Sequence, residues 1–118
     1  MTSKDIFAEK TRAQIKAWGI QIEKLASTAR NAPASEKAEY SRFVENARSL
    51  RKVVQKMLHD GEALSGEAWE AMLICILGAM KDVQLACDIA VREMEPTAVY
   101  PVAALLNQLG KSNEHAAQ

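Results

Sequence analysis

Ten consecutive residues, from Ala71 to Met80, carry no polar side chain. Because the hydrocarbon core of a bilayer needs about 20 residues of helix, this stretch is too short to span a membrane. A helix that is apolar on every side is instead expected to be buried between other parts of a protein. The fold must therefore cover this segment on two sides, with apolar surface from the same chain or from a second copy.

The rest of the sequence predicts helices. Ala, Glu, Lys, Leu and Arg are abundant, whereas the chain has only 5 glycines and 3 prolines, a composition typical of long helices. Apolar residues alternate at spacings of three and four in three segments, which is the pattern of a helix seam. The seams are Ile15, Trp18, Ile22, Leu25, Ala29 and Ala32; then Tyr40, Phe43, Ala47, Leu50, Val54 and Met57; then Trp69, Leu73, Ile76, Met80, Val83, Cys87, Ala90 and Met94.

Proline and glycine set the predicted boundaries of these helices. Pro33 removes a backbone donor and disfavours helical geometry at Ala32. The apolar pattern of the first helix does not continue in register after Pro33. A turn and a kink within one long helix both fit this shift, and we favour the turn. Asp60-Gly61 offers a left-handed cap for the end of the second helix, and Ser65 can cap the start of the third.

The sequence therefore predicts an all-α fold. We expect an antiparallel helical bundle or coiled coil of three long helices, at about 3–31, 35–60 and 65–94, with a short C-terminal helix at 100–109. These form a single domain over 1–110, followed by a disordered tail at 111–118.

The third predicted helix has a second apolar face besides its seam. Two elements could cover it. One is the C-terminal segment, with apolar residues at Val99, Val102, Leu105, Leu106 and Leu109. The other is the same helix of a second chain, which Gly78 would allow to approach closely. We predict a two-fold homodimer, with its interface formed by Ala71, Ile74, Cys75, Gly78, Leu85 and Ile89.

The cysteines and the N-terminus help to predict the cellular compartment of the protein. Cys75 and Cys87 fall on one predicted helix about 18 Å apart, too far for a disulfide within the chain, although a cross-link between two chains stays open. The first ten residues carry four charges and no apolar run, so they do not form a signal peptide. We expect a cytoplasmic protein.

Few residues have the arrangement that reaction chemistry requires. Neither His59 nor His115 belongs to a Glu-x-x-His pair, and the glycines are isolated, so we predict no metal site, no cofactor and no catalytic residue. With 15 basic and 15 acidic residues, the chain has no net charge to attract nucleic acid. One basic cluster, at Arg42, Arg48, Arg51, Lys52 and Lys56, is interpreted as a solvated face paired with the first helix; the alternative is an anionic docking surface.

Several fragments, over roughly residues 5–70, resemble small bacterial coiled-coil proteins of unknown function that are rich in Ala, Glu and Lys. They are Gln14 to Trp18, Ile22 to Leu25, Lys37 to Tyr40, Leu50-Arg51 and Ser65 to Glu70. The resemblance implies an amphipathic helical protein without a known active site. Pro33 and the apolar run depart from that family, and the second departure favours an interface-forming third helix.

The leading functional hypothesis is a non-enzymatic interaction or scaffold protein that acts through self-association. The alternative is an amphipathic protein that opens to coat a membrane or a hydrophobic granule, in the manner of phasins. The apolar run and Ile20 motivate this alternative. The balanced charge disfavours it, because surface-binding helices usually carry polar faces rich in Lys and Arg.

Overall fold

A computed structural model describes residues 2–94 of the chain. These residues form three α-helices and no strand: α1 (Ser3–Arg30), α2 (Ala34–Glu62) and α3 (Gly66–Met94). The all-α prediction is confirmed for this part of the chain. The predicted helix at 100–109 and the tail at 111–118 lie outside the described residues.

The break predicted at Pro33 is a turn. α1 ends at Arg30, and α2 begins directly after Pro33, whose backbone is extended (φ −55°, ψ 150°). The carbonyl of Pro33 accepts hydrogen bonds from the N–H groups of Glu36 and Lys37, at 2.9 and 3.0 Å. Proline therefore ends one helix because it cannot donate within it, and starts the next where no donor is needed.

The end of α2 differs from the prediction. The left-handed cap assigned to Gly61 is wrong, because Gly61 is helical and α2 continues to Glu62. The left-handed glycine is Gly66, at the start of α3 (φ 58°). A Cβ on Gly61 would lie 3.0 Å from Cγ of Met72 and 3.1 Å from Cζ3 of Trp69. Gly61 is thus required for the close approach of α2 and α3, and not for the chain reversal.

The core lies between the three helices. Every residue of the predicted seams is buried or half-buried, as their spacing indicates. More residues are buried than the seams contain. Each helix packs against two others and therefore needs a broader apolar stripe than a helix of a two-stranded coiled coil. The additional buried residues are Ala8, Thr11, Ala26, Val44, Leu58, Gly61, Ala86 and Val91.

The start of α1 is tied to the loop between α2 and α3. The ammonium group of Lys4 donates to the carbonyls of Glu62 (2.7 Å) and Leu64, and lies 5.0 Å from the ring centroid of Trp69. Phe7 packs edge-on against the same ring, with centroids 5.9 Å apart. The last carbonyls of a helix lack intrahelical partners and carry partial negative charge, so Lys4 stabilises the end of α2.

The middle of α1 is tied to α3 by a buried tryptophan. Trp18, predicted to be core, is almost fully buried, and its Nε1–H donates to Oε1 of Gln84 at 3.1 Å. The amide of Gln84 in turn donates to Oδ1 of Asp88 at 2.9 Å. A buried indole N–H needs such a partner, so this bond fixes the axial position of α3 against α1.

Candidate interaction surfaces

α3 carries an exposed apolar surface on the side opposite its buried face, which we call the outer face. Its largest side chains are Ile74, Leu85 and Leu77, exposed by 72%, 59% and 45% of their surfaces. Of the six residues predicted to form an interface, five are exposed and Ile89 is half-buried. The outer face comprises Ala71, Ile74, Cys75, Leu77, Gly78, Leu85 and Ile89.

The spacing of these residues explains why they share a face. Ile74 and Gly78 are one helical turn apart, and Leu85 follows two turns after Gly78, so their side chains follow one line along the helix. The inner face of α3, with Ile76, Val83 and Cys87, is completely buried. Isolated exposed apolar residues are ordinary, whereas several on one face make that face a candidate interaction site; here exposed Lys81 separates Gly78 from Leu85.

Leu77 was not among the residues predicted for this surface. It lies on the flank of the row, where helical spacing alone does not separate an interface residue from one covered by α1 or α2. Only the position of the neighbouring helices shows that it is exposed.

Gly78 differs from Gly61 in its surroundings. A Cβ built on Gly78 meets no atom within 4 Å, so nothing in the described part of the chain requires a glycine at this position. A glycine within a helix costs about 1 kcal/mol of stability relative to alanine. Its presence here leaves a shallow space in the middle of the outer face, which a second helix could approach.

Charged residues lie along the outer face. Glu67 and Glu70 are at its start, Lys81 and Asp82 at its middle, and Asp88, Arg92 and Glu93 at its end. Within the described residues, Arg92 has one long ion pair, with Glu93 at 3.7 Å, and Glu67, Glu70, Lys81 and Asp82 form none. The outer face therefore has an acidic start, and the single basic residue at its end has acidic neighbours.

The two cysteines lie on opposite faces of α3. Cys75 is exposed on the outer face, whereas Cys87 is buried in the core. Burial disfavours the charged thiolate and raises the pKa of Cys87 to about 11, with a smaller contribution from Asp88. At neutral pH, Cys75 is therefore the accessible thiol of the chain.

A second surface is a groove between α1 and α2, of about 860 Å³. We call it the basic groove; the residues that characterise it are Lys16, Gly19, Ile20, Lys24, Arg51 and Lys52. Ile20 is 54% exposed there. Its three lysines form no ion pair with any residue that the structure describes.

Arg51 is held in the groove by the backbone of α1. Its Nε–H donates to the carbonyl of Ile15 at 2.8 Å. Its guanidinium group lies over Gly19, where a Cβ would be only 2.8 Å from Nη2. Gly19 therefore makes room for Arg51, and the charge of Arg51 becomes a fixed part of the groove wall.

The basic cluster predicted in the second helix is divided between paired and unpaired residues. Arg48 bridges Glu23 of α1 (3.0 Å) and Glu45 (2.7 Å), as expected for pairing with the first helix, and these partners raise its pKa. Lys56 pairs with Asp60 at 2.8 Å. Lys52, in the basic groove, and exposed Arg42 form no ion pair with any described residue, so these parts of the cluster could receive an anionic partner.

The described residues contain no group of three His, Cys, Asp or Glu residues that could hold a metal ion. His59 is exposed in the last turn of α2, where a cation is favoured by the helix dipole; His115 lies outside the described range. No helix among residues 2–94 is both long and apolar enough to cross a membrane.

No protein-family model, curated protein or solved structure matches this chain. The two surfaces are therefore interpreted from their own geometry and chemistry.

Proposed function

We propose that this chain is a non-enzymatic helical interaction protein that pairs with a second copy through the outer face of α3. The observation that carries the proposal is the row of Ile74, Leu77 and Leu85, exposed on a helix whose other face is completely buried. A two-fold dimer would bury the row of both copies at once. The proposal assigns no catalytic residue and no cofactor, and it places the protein in the cytoplasm.

Within each copy, we infer an antiparallel bundle. Three contacts support it: Lys4 lies beside the end of α2, Glu23 pairs with Arg48 further back along α2, and Gly61 lies against Trp69. An antiparallel bundle accounts for these contacts, because it has the start of α1 beside the end of α2 and the end of α2 beside the start of α3. The outer face of α3 then remains as the apolar surface that the bundle leaves uncovered.

The energetics favour a reversible dimer. Fully burying an exposed Leu or Ile side chain contributes about 1.5–3 kcal/mol, and the outer face offers three large side chains per copy. Association costs at least about 4 kcal/mol in lost freedom of motion, and more when side chains are ordered. Because these side chains are already partly buried in the single copy, less than about 7 kcal/mol remains, so the expected dissociation constant is in the tens of micromolar or weaker.

The test is the solution mass by light scattering on size-exclusion chromatography, from about 1 to 500 µM because the expected dissociation constant is in the tens of micromolar or weaker. Wild type should change from monomer to dimer within this range. Ile74→Glu should stay monomeric with unchanged helical circular dichroism, because it would bury an unpaired charge only in the dimer.

Val53→Glu, at an exposed apolar position of α2, is the matched control and should dimerise as wild type does. A wild type that remains monomeric at all concentrations would overturn the proposal. So would an Ile74→Glu variant that unfolds, since the outer face would then be part of the core of the monomer.

The basic groove favours a second candidate function, adsorption to an anionic membrane or granule surface. Ile20 is exposed between lysines that have no ion pair in the described residues, and apolar residues flanked by lysines are typical of surface-binding helices. Flotation with phosphatidylglycerol vesicles tests it, with Ile20→Glu as the variant and neutral vesicles as the control. No flotation with either vesicle would remove this candidate.

A further inference from the structure

We infer that Arg51 makes the basic groove a binding site for the phosphate group of an anionic lipid headgroup. This inference rests on the second candidate function, adsorption to an anionic surface, and specifies the site that performs it. It does not depend on the proposed dimer.

The guanidinium group of Arg51 is held in one position with its outer edge free. Its Nε–H donates to the carbonyl of Ile15 at 2.8 Å, whereas Nη1 and Nη2 have no hydrogen bond or ion pair with any described residue. Arg51 is half-buried, and in this part of the chain no buried side-chain nitrogen or oxygen lacks a partner. Solvent therefore reaches both Nη atoms, whose parallel N–H groups match two oxygens of a phosphate.

The needs of the fold do not explain why Arg51 lies there. Ile15 is inside α1, where its carbonyl already accepts a hydrogen bond from the helix. Gly19 is also inside α1, and a glycine there makes a helix less stable than an alanine would. A Cβ on Gly19 would be 2.8 Å from Nη2 of Arg51. The helix thus loses stability at Gly19 and gains room for a guanidinium group whose outer edge has no partner among residues 2–94.

The carboxylates around this guanidinium group are engaged by other arginines. Glu23, the carboxylate that lines the groove, pairs with Arg48 at 3.0 Å, and Arg48 also pairs with Glu45 at 2.7 Å. The same guanidinium group lines a neighbouring cavity, where the carboxylate is Glu62 and pairs with Arg12. An anion from outside the chain would therefore not compete with a carboxylate already bound to Arg51.

The groove keeps an excess of positive charge after these ion pairs are counted. Five basic side chains line it, so its net charge is +3 with both Glu23 and Glu45 included. Since the whole chain has no net charge, this excess is local. Complementary charge favours an anionic occupant at this place, and each lysine or arginine near an anionic membrane adds to the attraction.

The open shape of the groove favours a lipid over a small molecule. Its lysines are exposed, whereas a small molecule bound in solution usually has most of its surface buried. A lipid needs only its headgroup in the groove, because its acyl chains stay in the bilayer. Lys16 and Lys24 lie about one turn before and after Ile20, so the three side chains share one side of α1. Ile20 can then enter the membrane interface while the lysines contact neighbouring phosphates.

Flotation with phosphatidylglycerol vesicles tests the role of the guanidinium group. Arg51→Lys keeps the positive charge but replaces a planar pair of N–H groups by one ammonium group, so the variant should bind the vesicles about tenfold more weakly. Arg42→Lys is the matched control, because Arg42 is exposed on α2 outside the groove and forms no ion pair with a described residue. It should bind as wild type does, and equal losses in the two variants would contradict a specific site.

Gly19→Ala tests the position of Arg51 without changing any charge. The new Cβ must displace the guanidinium group, which is the end of a flexible side chain, so the helix should stay folded while the group moves from its place. We expect binding to the vesicles to fall at least about threefold. Gly78→Ala, whose Cβ meets only open space on α3, is the matched control and should bind as wild type does. Circular dichroism checks that both variants are folded.

The outcomes separate the phosphate site from the adsorption on which it rests. If Arg51→Lys and Gly19→Ala both bind as tightly as wild type, the inference is wrong while the adsorption candidate stands. A wild type that does not float would remove both.

Titration calorimetry with glycerol 3-phosphate distinguishes a soluble ester from a lipid. We expect a dissociation constant above about 1 mM, because the free ester lacks the contacts of Ile20 and the lysines with a surface. Micromolar binding of glycerol 3-phosphate by a wild type that does not float would assign the groove to soluble phosphate esters and overturn the inference.

Discussion

The two faces of α3 are similarly apolar in sequence but have opposite surroundings. Ile76, Val83 and Cys87 on the inner face are enclosed by α1 and α2, whereas Ile74 and Leu85, each two residues from an inner-face residue, are mostly exposed. Apolar character shows that a surface favours burial, but not which partner will bury it. α1 and α2 enclose one face of α3, and the other face is exposed in the part of the chain that the structure describes.

Two glycines show the same contrast between enclosed and exposed surroundings. Gly61 is buried where the side chains of Trp69 and Met72 leave no room for a Cβ, whereas Gly78 faces open space on the outer face. The first is explained by packing inside one copy. The second has no explanation among the residues that the structure describes, and the proposed partner helix would supply one.

The largest difference between the faces should appear in thiol reactivity. At pH 8 we expect Cys87 to react with a thiol reagent at least about a hundredfold more slowly than Cys75, because a pKa of about 11 leaves only about one thiolate in a thousand and the side chain is buried. Mass spectrometry after timed labelling measures this. Both cysteines should react in 8 M urea, and equal rates in buffer would mean that α3 does not bury its inner face.

The next largest difference should appear in stability. Ile76→Ala should lower the free energy of unfolding by about 3 kcal/mol, because it leaves a cavity in a completely buried site. Ile74→Ala removes the same atoms from the outer face and should change it by less than about 0.5 kcal/mol in dilute monomer. Urea unfolding followed by circular dichroism compares the two; similar losses would show that the outer face is covered within one copy.

A smaller effect is expected from the two glycines. Gly78→Ala should stabilise dilute monomer by about 0.5–1 kcal/mol, because alanine is the better helix former and nothing obstructs its Cβ. Gly61→Ala gains the same propensity but must displace Trp69 or Met72, at a cost of about 1–3 kcal/mol, so we expect a net loss. The same unfolding assay measures both, and equal gains would contradict the close packing at Gly61.

The smallest effect should come from charges outside both faces. The hydrogen bond from Lys56 lowers the pKa of Asp60 below its ordinary value of 3.8. A lowered carboxyl pKa adds stability that is present above pH 3.8 and is lost as the pH falls through the folded-state pKa. Asp60→Asn should thus be slightly less stable than wild type at pH 6 and equal to it near pH 2; a difference that grows with acid would contradict this.

The sequence alone determined the number of long helices, a break at Pro33 and the presence of two apolar faces on α3; it favoured a turn at Pro33 over a kink but did not decide between them. These features are local, because helical periodicity and the missing N–H of proline act within a few residues. The same local signals led to the wrong role for Gly61: a glycine near a helix end suggests a cap, and only the position of Trp69 shows that close packing requires it.

The tertiary structure decided which apolar face is enclosed, where Lys4 binds, and which lysines remain unpaired. Lys4 reaches carbonyls about 60 residues away in the chain, and Arg51 rests on Gly19 of another helix. No spacing rule connects residues so far apart, because their meeting depends on how α1, α2 and α3 rotate against one another. The way the helices rotate against one another decides which face of α3 is exposed. The sequence therefore predicted which residues form the outer face, but not that this face is exposed.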